Sequence, residues 1–147
     1  METNITMHFT IEEMYASDTA KRLGINNIPS LQQTINLGYL CSYVLEPLRV
    51  AMGKPIKISS GFRSQALNKA VGGVYNSQHL KGQAADIDIQ GDMAFGRKIF
   101  DYIRDHLPFD QLIWEHNKGG TYWVHVSFVY PDFGKNRKNV INNLEKK

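Results

Sequence analysis

Ser77-Gln78-His79-Leu80-Lys81-Gly82-Gln83-Ala84-Ala85-Asp86-Ile87-Asp88-Ile89 is the stretch on which the reading of this chain turns. Its end alternates, with Ile87 and Ile89 on one face and Asp86 and Asp88 on the other, as in a strand with one apolar and one polar side. Gly82 stands between a histidine and that strand, where the backbone has to turn and a side chain would interfere. A polar strand face reached through a glycine turn from an imidazole is a place for chemistry, so the flanking elements are read for what they add to it.

Downstream, Asp92 opens an amphipathic helix with Met93, Ile99, Phe100, Ile103 and Leu107 on its apolar side, and Pro108 ends it. Gln111 to Glu115 and Tyr122 to Val129 then read as two strands joined through Asn117-Lys118-Gly119-Gly120, a run of turn formers that predicts an antiparallel hairpin. Val124, Val126 and Phe128 share one face of the second strand and Trp123, His125 and Ser127 the other, so His125 points away from the core. Upstream, Ile56-Lys57-Ile58-Ser59 alternates as a strand, Ser60-Gly61 breaks it, and a short helix runs from Ser64 toward Gly72-Gly73, leaving Arg63 in the turn.

The first third is helical. Thr10-Ile11-Glu12-Glu13 has capping-box spacing, and Lys21-Arg22-Leu23-Gly24 reads as a helix end with glycine just beyond. Ser30 and Gln33 open a long core helix carrying Leu37, Leu40, Val44 and Leu48 to about Gly53, which Pro47 is expected to kink or divide. The fold class is therefore α+β, with helices packed on one face of a small, mostly antiparallel sheet.

The 147 residues suit one domain: a helical part over 1–53, a catalytic core over 54–130 and a basic C-terminal tail over 131–147. With 42% apolar and 21% charged residues and no long apolar run, membrane insertion is not expected. The net charge of +3 is scattered except at Lys135-Asn136-Arg137-Lys138 and Lys146-Lys147, which read as solvated surface, so no nucleic-acid partner is expected. The lone Cys41, in an apolar helical stretch, reads as a small buried side chain. The start, METNITMHFT, has no basic region or apolar core of a secretory signal.

His79, Asp86 and His125 offer imidazole nitrogen and carboxylate oxygen, donors that suit zinc, and three protein ligands leave a fourth position open as catalytic sites do. By spacing alone, each also reads as an ordinary hydrogen-bonded polar residue. Residues 77–86 match the S-x-H-x-x-G-x-A-x-D signature at every fixed position. They resemble the zinc D-Ala-D-Ala carboxypeptidase family, which includes endolysins cutting the L-alanyl-D-glutamate bond and shares its fold with hedgehog signalling domains. Ser59-Ser60-Gly61-Phe62-Arg63-Ser64 resembles that family's S-G-[YF]-R-S turn, and Trp123-Val124-His125-Val126-Ser127 its W-x-H-x-S strand, in the family's order.

The resemblance implies one zinc per chain on His79, Asp86 and His125, with Arg63 as a cation beside the substrate. Ser77 either hydrogen-bonds a ligand or caps a turn. Relatives often carry an acidic residue three positions before the last histidine, where this chain has Tyr122. Glu115, on the neighbouring strand, is the expected base, ahead of His116 on the opposite face. His8 and His106 lie outside the motifs, and Asp88 is expected to be solvated or to orient a ligand. The implied activity is zinc-dependent hydrolysis of an amide in peptidoglycan stem peptides, at terminal D-Ala-D-Ala or internal L-Ala-D-Glu. The alternative is a non-catalytic wall-binding module. A monomer of phage or prophage type is expected, made in the cytoplasm and acting at the cell wall after release.

Overall fold

The computed structural model describes residues 2–130 and 135–143. Thr10 and Ser30 form the two capping boxes that their spacing predicts, opening helices α1 (Ile11–Tyr15) and α3 (Leu31–Leu40). Between them α2 (Asp18–Leu23) ends on Gly24 in the left-handed conformation. The path from α3 continues through a π turn (Cys41–Leu45) into α4 (Glu46–Met52). Pro47 is the reason, since it has no N–H for the carbonyl of Tyr43 and its ring crowds that turn. The widened turn absorbs the fault, with the Glu46 N–H reaching back five residues to the Cys41 carbonyl. The expected division of the helix is therefore a bulge in one continuous path.

Strand β1 (Lys57–Ser60) leads to α5 (Gln65–Ala70), a 3-10 turn (Gln78–Lys81) and β2 (Ala84–Asp88). Then come α6 (Met93–His106), β3 (Gln111–His116), β4 (Tyr122–Ser127) and β5 (Asn139–Asn142), in a sheet ordered β1-β2-β4-β3-β5. All neighbouring pairs are antiparallel except β3 with β5. The inward residues Ala85, Ile87, Leu112, Trp114, Val124 and Val126 join Leu37, Leu40, Val44, Leu45 and Leu48 of the long helix and Ile99, Phe100 and Ile103 of α6 in one buried cluster. Gly96 lets α6 lie against Trp114, because a Cβ there would come within 2.3 Å of the indole ring. Met93, assigned to the apolar side by spacing, opens the helix and is 38% exposed. Cys41 is buried, which pushes its thiol pKa upward and keeps it un-ionised. Among the described residues no helix is long and apolar enough to cross a membrane.

The C-terminal stretch is more than a solvated basic tail. β5 adds to the edge of β3, and Arg137 forms a forked ion pair with buried Asp110 through Nε and Nη2 at 3.0 and 2.8 Å. Lys135 and Lys138 are exposed, as expected, and Lys146 and Lys147 lie outside the described residues. Asp110 also accepts from the Arg137 backbone N–H and from Gln78. The Arg137 hydrogen bonds, opposed by burial, hold the Asp110 carboxyl below its ordinary value. A depressed folded-state pKa means stabilisation that is complete above about pH 4, where an unfolded aspartate is ionised, and is lost on acidification through the folded value. Asp110→Asn should therefore lower stability at pH 7 by about 1–3 kcal/mol and flatten the fall in stability below pH 4. Urea unfolding at both pH values checks this, and an acid limb identical to the parent's would contradict it.

Candidate metal centre

The sheet sets the centre by register. Ser60, Asp86, His125 and Ile113 occupy one row across β1, β2, β4 and β3, with Asp86 and His125 directly paired. Alternation turns the Asp86 and His125 side chains to the face opposite Ile87, Val124 and Val126. His79 arrives from outside the sheet, on the 3-10 turn that Gly82 ends in the left-handed conformation. That turn is held from α3: Gln33 and Asn36 donate side-chain amide hydrogens to the carbonyls of Leu80 and Lys81. A Cβ on Gly82 would lie 2.5 Å from the Gln33 carbonyl oxygen, so close approach as well as backbone sign requires glycine here.

The donors converge. His79 Nε2 lies 3.4 Å and His125 Nδ1 2.9 Å from Asp86 Oδ1, and one ligand atom from each residue falls within 4.8 Å of the others. His79 Nδ1 lies 2.6 Å from the Gly61 carbonyl oxygen, which can only accept, so this nitrogen carries the proton. Nε2 faces a carboxylate oxygen, so either a second proton on the ring or a metal cation has to stand between them. This donor set fits zinc, whose bonds to nitrogen and oxygen are about 2 Å, and the Gly61 carbonyl is the kind of outer partner that fixes a ligand ring. Burial works to raise the Asp86 carboxyl, but His79 and His125 outweigh it and hold it well below the usual carboxylate range, ionised and ready to ligate.

Gly61 is itself pinned. A Cβ there would sit 2.2 Å from the Met14 carbonyl oxygen, which also accepts from the Phe62 N–H at 2.7 Å. Buried Asn27 staples the same turn, donating to the carbonyls of Tyr15 and Phe62 and accepting from the Ser64 N–H. The irregularity in β1 between Ile58 and Ser60 swings the chain into this turn. Asn27 and Met14 escape a reading by motif: one resembles a loop asparagine, and the other acts only through its backbone.

A cleft of about 620 Å³ opens over the metal ligands, and Arg63, Ser77, Glu115 and Trp123 line it with them. Arg63 is tied by its backbone N–H to the His79 carbonyl, while its buried Nε has no hydrogen-bond partner among the described residues. Burial lowers the guanidinium pKa and Asp86 opposes that, yet an arginine stays cationic. Ser77 accepts from the His79 N–H and so caps the turn at the edge of the cleft. Glu115 pairs in register with Trp123, so it lies diagonal to His125 and not directly across from it, about 7 Å along the strand from Ile113. Its Oε1 accepts from Asn143 at 3.4 Å.

The other candidates fall outside this group. His116 is exposed against the Tyr122 ring, which also packs on Trp114. His8 pairs with Glu46, and His106 lies against Tyr102. Asp88 faces Lys57 at 3.6 Å and caps the turn at Gln90, so it does not orient a metal ligand.

An open cleft floored by two imidazoles and a carboxylate defines a candidate metal centre. The chain belongs to the peptidase M15 family, whose profile matches residues 7–127. It is also similar to the zinc D-Ala-D-Ala carboxypeptidase of Streptomyces albus G, 52% identical over 44 residues, which is 29% of this chain. The matched stretch spans 17% of that relative's length. Membership of a peptidase family and a donor set that suits zinc thus meet at one site.

The Gly61 contact yields a prediction about the metal alone. Gly61→Ala must displace the Met14 carbonyl or the turn, costing about 1–3 kcal/mol, and misaim His79. Loss of an outer partner weakens metal binding about 10- to 100-fold. Competition with a chromogenic chelator measures this, and zinc affinity within twofold of the parent's would rule the pinning role out.

Proposed function

We propose that the chain hydrolyses an amide bond in peptidoglycan stem peptides, with His79, Asp86 and His125 holding zinc, Glu115 as general base and Arg63 supporting the reacting carbonyl. The observation that carries this reading is the meeting, in one cleft, of the candidate ligand triad, a guanidinium whose buried nitrogen has no partner among the described residues and a carboxylate on the adjacent strand. Zinc in such a site acidifies water and polarises carbonyl groups. Glu115 accepts the proton of the attacking water and returns it to the leaving amine. Arg63, tied by its backbone to the turn that bears His79, keeps a fixed positive charge where the substrate oxygen gains negative charge, which favours the transition state over the ground state.

Terminal D-Ala removal is one form of this activity, in line with the printed name of the Streptomyces relative. Internal L-Ala-D-Glu cleavage is the other, and products of digested peptidoglycan, identified by mass spectrometry, separate the two. A monomeric single domain of phage or prophage type, synthesised in the cytoplasm and released to the wall, completes the proposal. The competing reading is a wall-binding module without turnover, favoured by Tyr122, whose phenol is a poor base at the position where relatives often carry an acid.

Glu115→Gln decides between them. On the peptidase reading it lowers kcat on stem peptides about 100- to 10,000-fold with zinc content unchanged. Equal low activity of parent and variant, with wall fragments still bound, establishes the binding module instead.

A further inference from the structure

We propose that Arg137 anchors a carboxylate of the bound peptide, two to three residues from the bond that is cut. The proposal rests on the peptidase reading and adds to it a recognition residue from outside the family match, which ends at residue 127. Arg137 lines the same cleft as the metal ligands, and its side chain is 61% exposed. Its forked partner is the reverse: Asp110 is 3% exposed and saturated, accepting from the Arg137 backbone, Nε and Nη2 and from Gln78. One edge of the guanidinium is thus clamped, while Nη1 has no partner among the described residues. A planar donor held by a buried acid is already oriented and loses little freedom on binding, and a carboxylate matches its fork.

The register gives the cleft a direction. Gln111, Ile113 and Glu115 line it from alternate positions of β3, with Ile113 beside His125. Asp110 precedes Ile113 by three residues, about 10 Å along the strand, a distance that an extended peptide covers in two to three residues. Glu115 lies at the opposite end, where its negative charge disfavours a substrate carboxylate. A peptide therefore enters with its anionic part toward Arg137. A residue that only closed the C-terminal segment onto Asp110 would have no reason to face the cleft.

The test uses the full zinc-loaded chain and the synthetic peptide L-Ala-γ-D-Glu-L-Lys-D-Ala-D-Ala, with each carboxylate amidated in turn. Calorimetric titration gives affinities, and chromatography follows cleavage. With cleavage at D-Ala-D-Ala the D-Glu α-carboxylate lies at that span, and its amidation is expected to weaken binding to the parent about tenfold or more, Arg137→Gln to abolish that discrimination, and Arg137→Lys to keep part of it; loss of discrimination only at the terminal carboxylate contradicts the placement. Only folded protein binds, so the ratio between two peptides is insensitive to any loss of stability in a variant. Discrimination by Arg137→Gln equal to the parent's, or equal weakening toward every peptide with the ratios intact, overturns the anchor while leaving the peptidase assignment standing. A parent that neither binds nor cleaves any of the peptides overturns both.

Discussion

Everything at the centre depends on the facing of Asp86 and His125 across β2 and β4, with His79 brought to the same oxygen from the 3-10 turn. Two of the three donors need no special device beyond strand register: directly paired positions share a face, and that face is polar because its reverse is filled with Ile87, Val124 and Val126. The third donor has no strand to place it. Its ring is oriented by the Gly61 carbonyl, its turn by Gln33 and Asn36, and the Gly61 turn by Met14 and Asn27. The site is thus assembled by a rigid half in the sheet and a supported half leaning on the N-terminal helices.

β5 gives the cleft its two ends. Pairing parallel to β3, the C-terminal segment brings Arg137 to Asp110 at one end and Asn143 to Glu115 at the other. Asn136 joins the segment to β4's exit by exchanging hydrogen bonds with the Val129 backbone. The cleft is therefore framed by residues from within the stretch that matches the family profile and from beyond its C-terminal end.

The strands, the amphipathic helix and the capped helices were legible because their signals are local: alternation, capping spacing and turn formers lie within a few residues of one another. The grouping of His79, Asp86 and His125 was legible because the motif preserves both identity and spacing. β5 was not, since Asn139-Val140-Ile141-Asn142 is four residues long and flanked by lysines and asparagines, and only its pairing with β3 makes it a strand. The π turn shows an intermediate case. Pro47 announces a fault in the helix, but whether the chain kinks or bulges depends on the buried Cys41, Val44 and Leu45, which are held in the core. The position of Glu115 was legible to within one step of register: the correct face, yet paired with Trp123 and diagonal to the histidine.

The support given to the His79 turn bears on where the domain can be divided. All three ligands and every motif lie between residues 59 and 127, which invites the view that the helical third is an accessory. The contacts argue otherwise. The carbonyl of Met14 and the amides of Asn27, Gln33 and Asn36 reach the metal-bearing loops directly, so a fragment starting at β1 would hold the complete signature without the scaffold that aims it. In evolutionary terms, those helices and the signature are constrained to travel as one inherited unit.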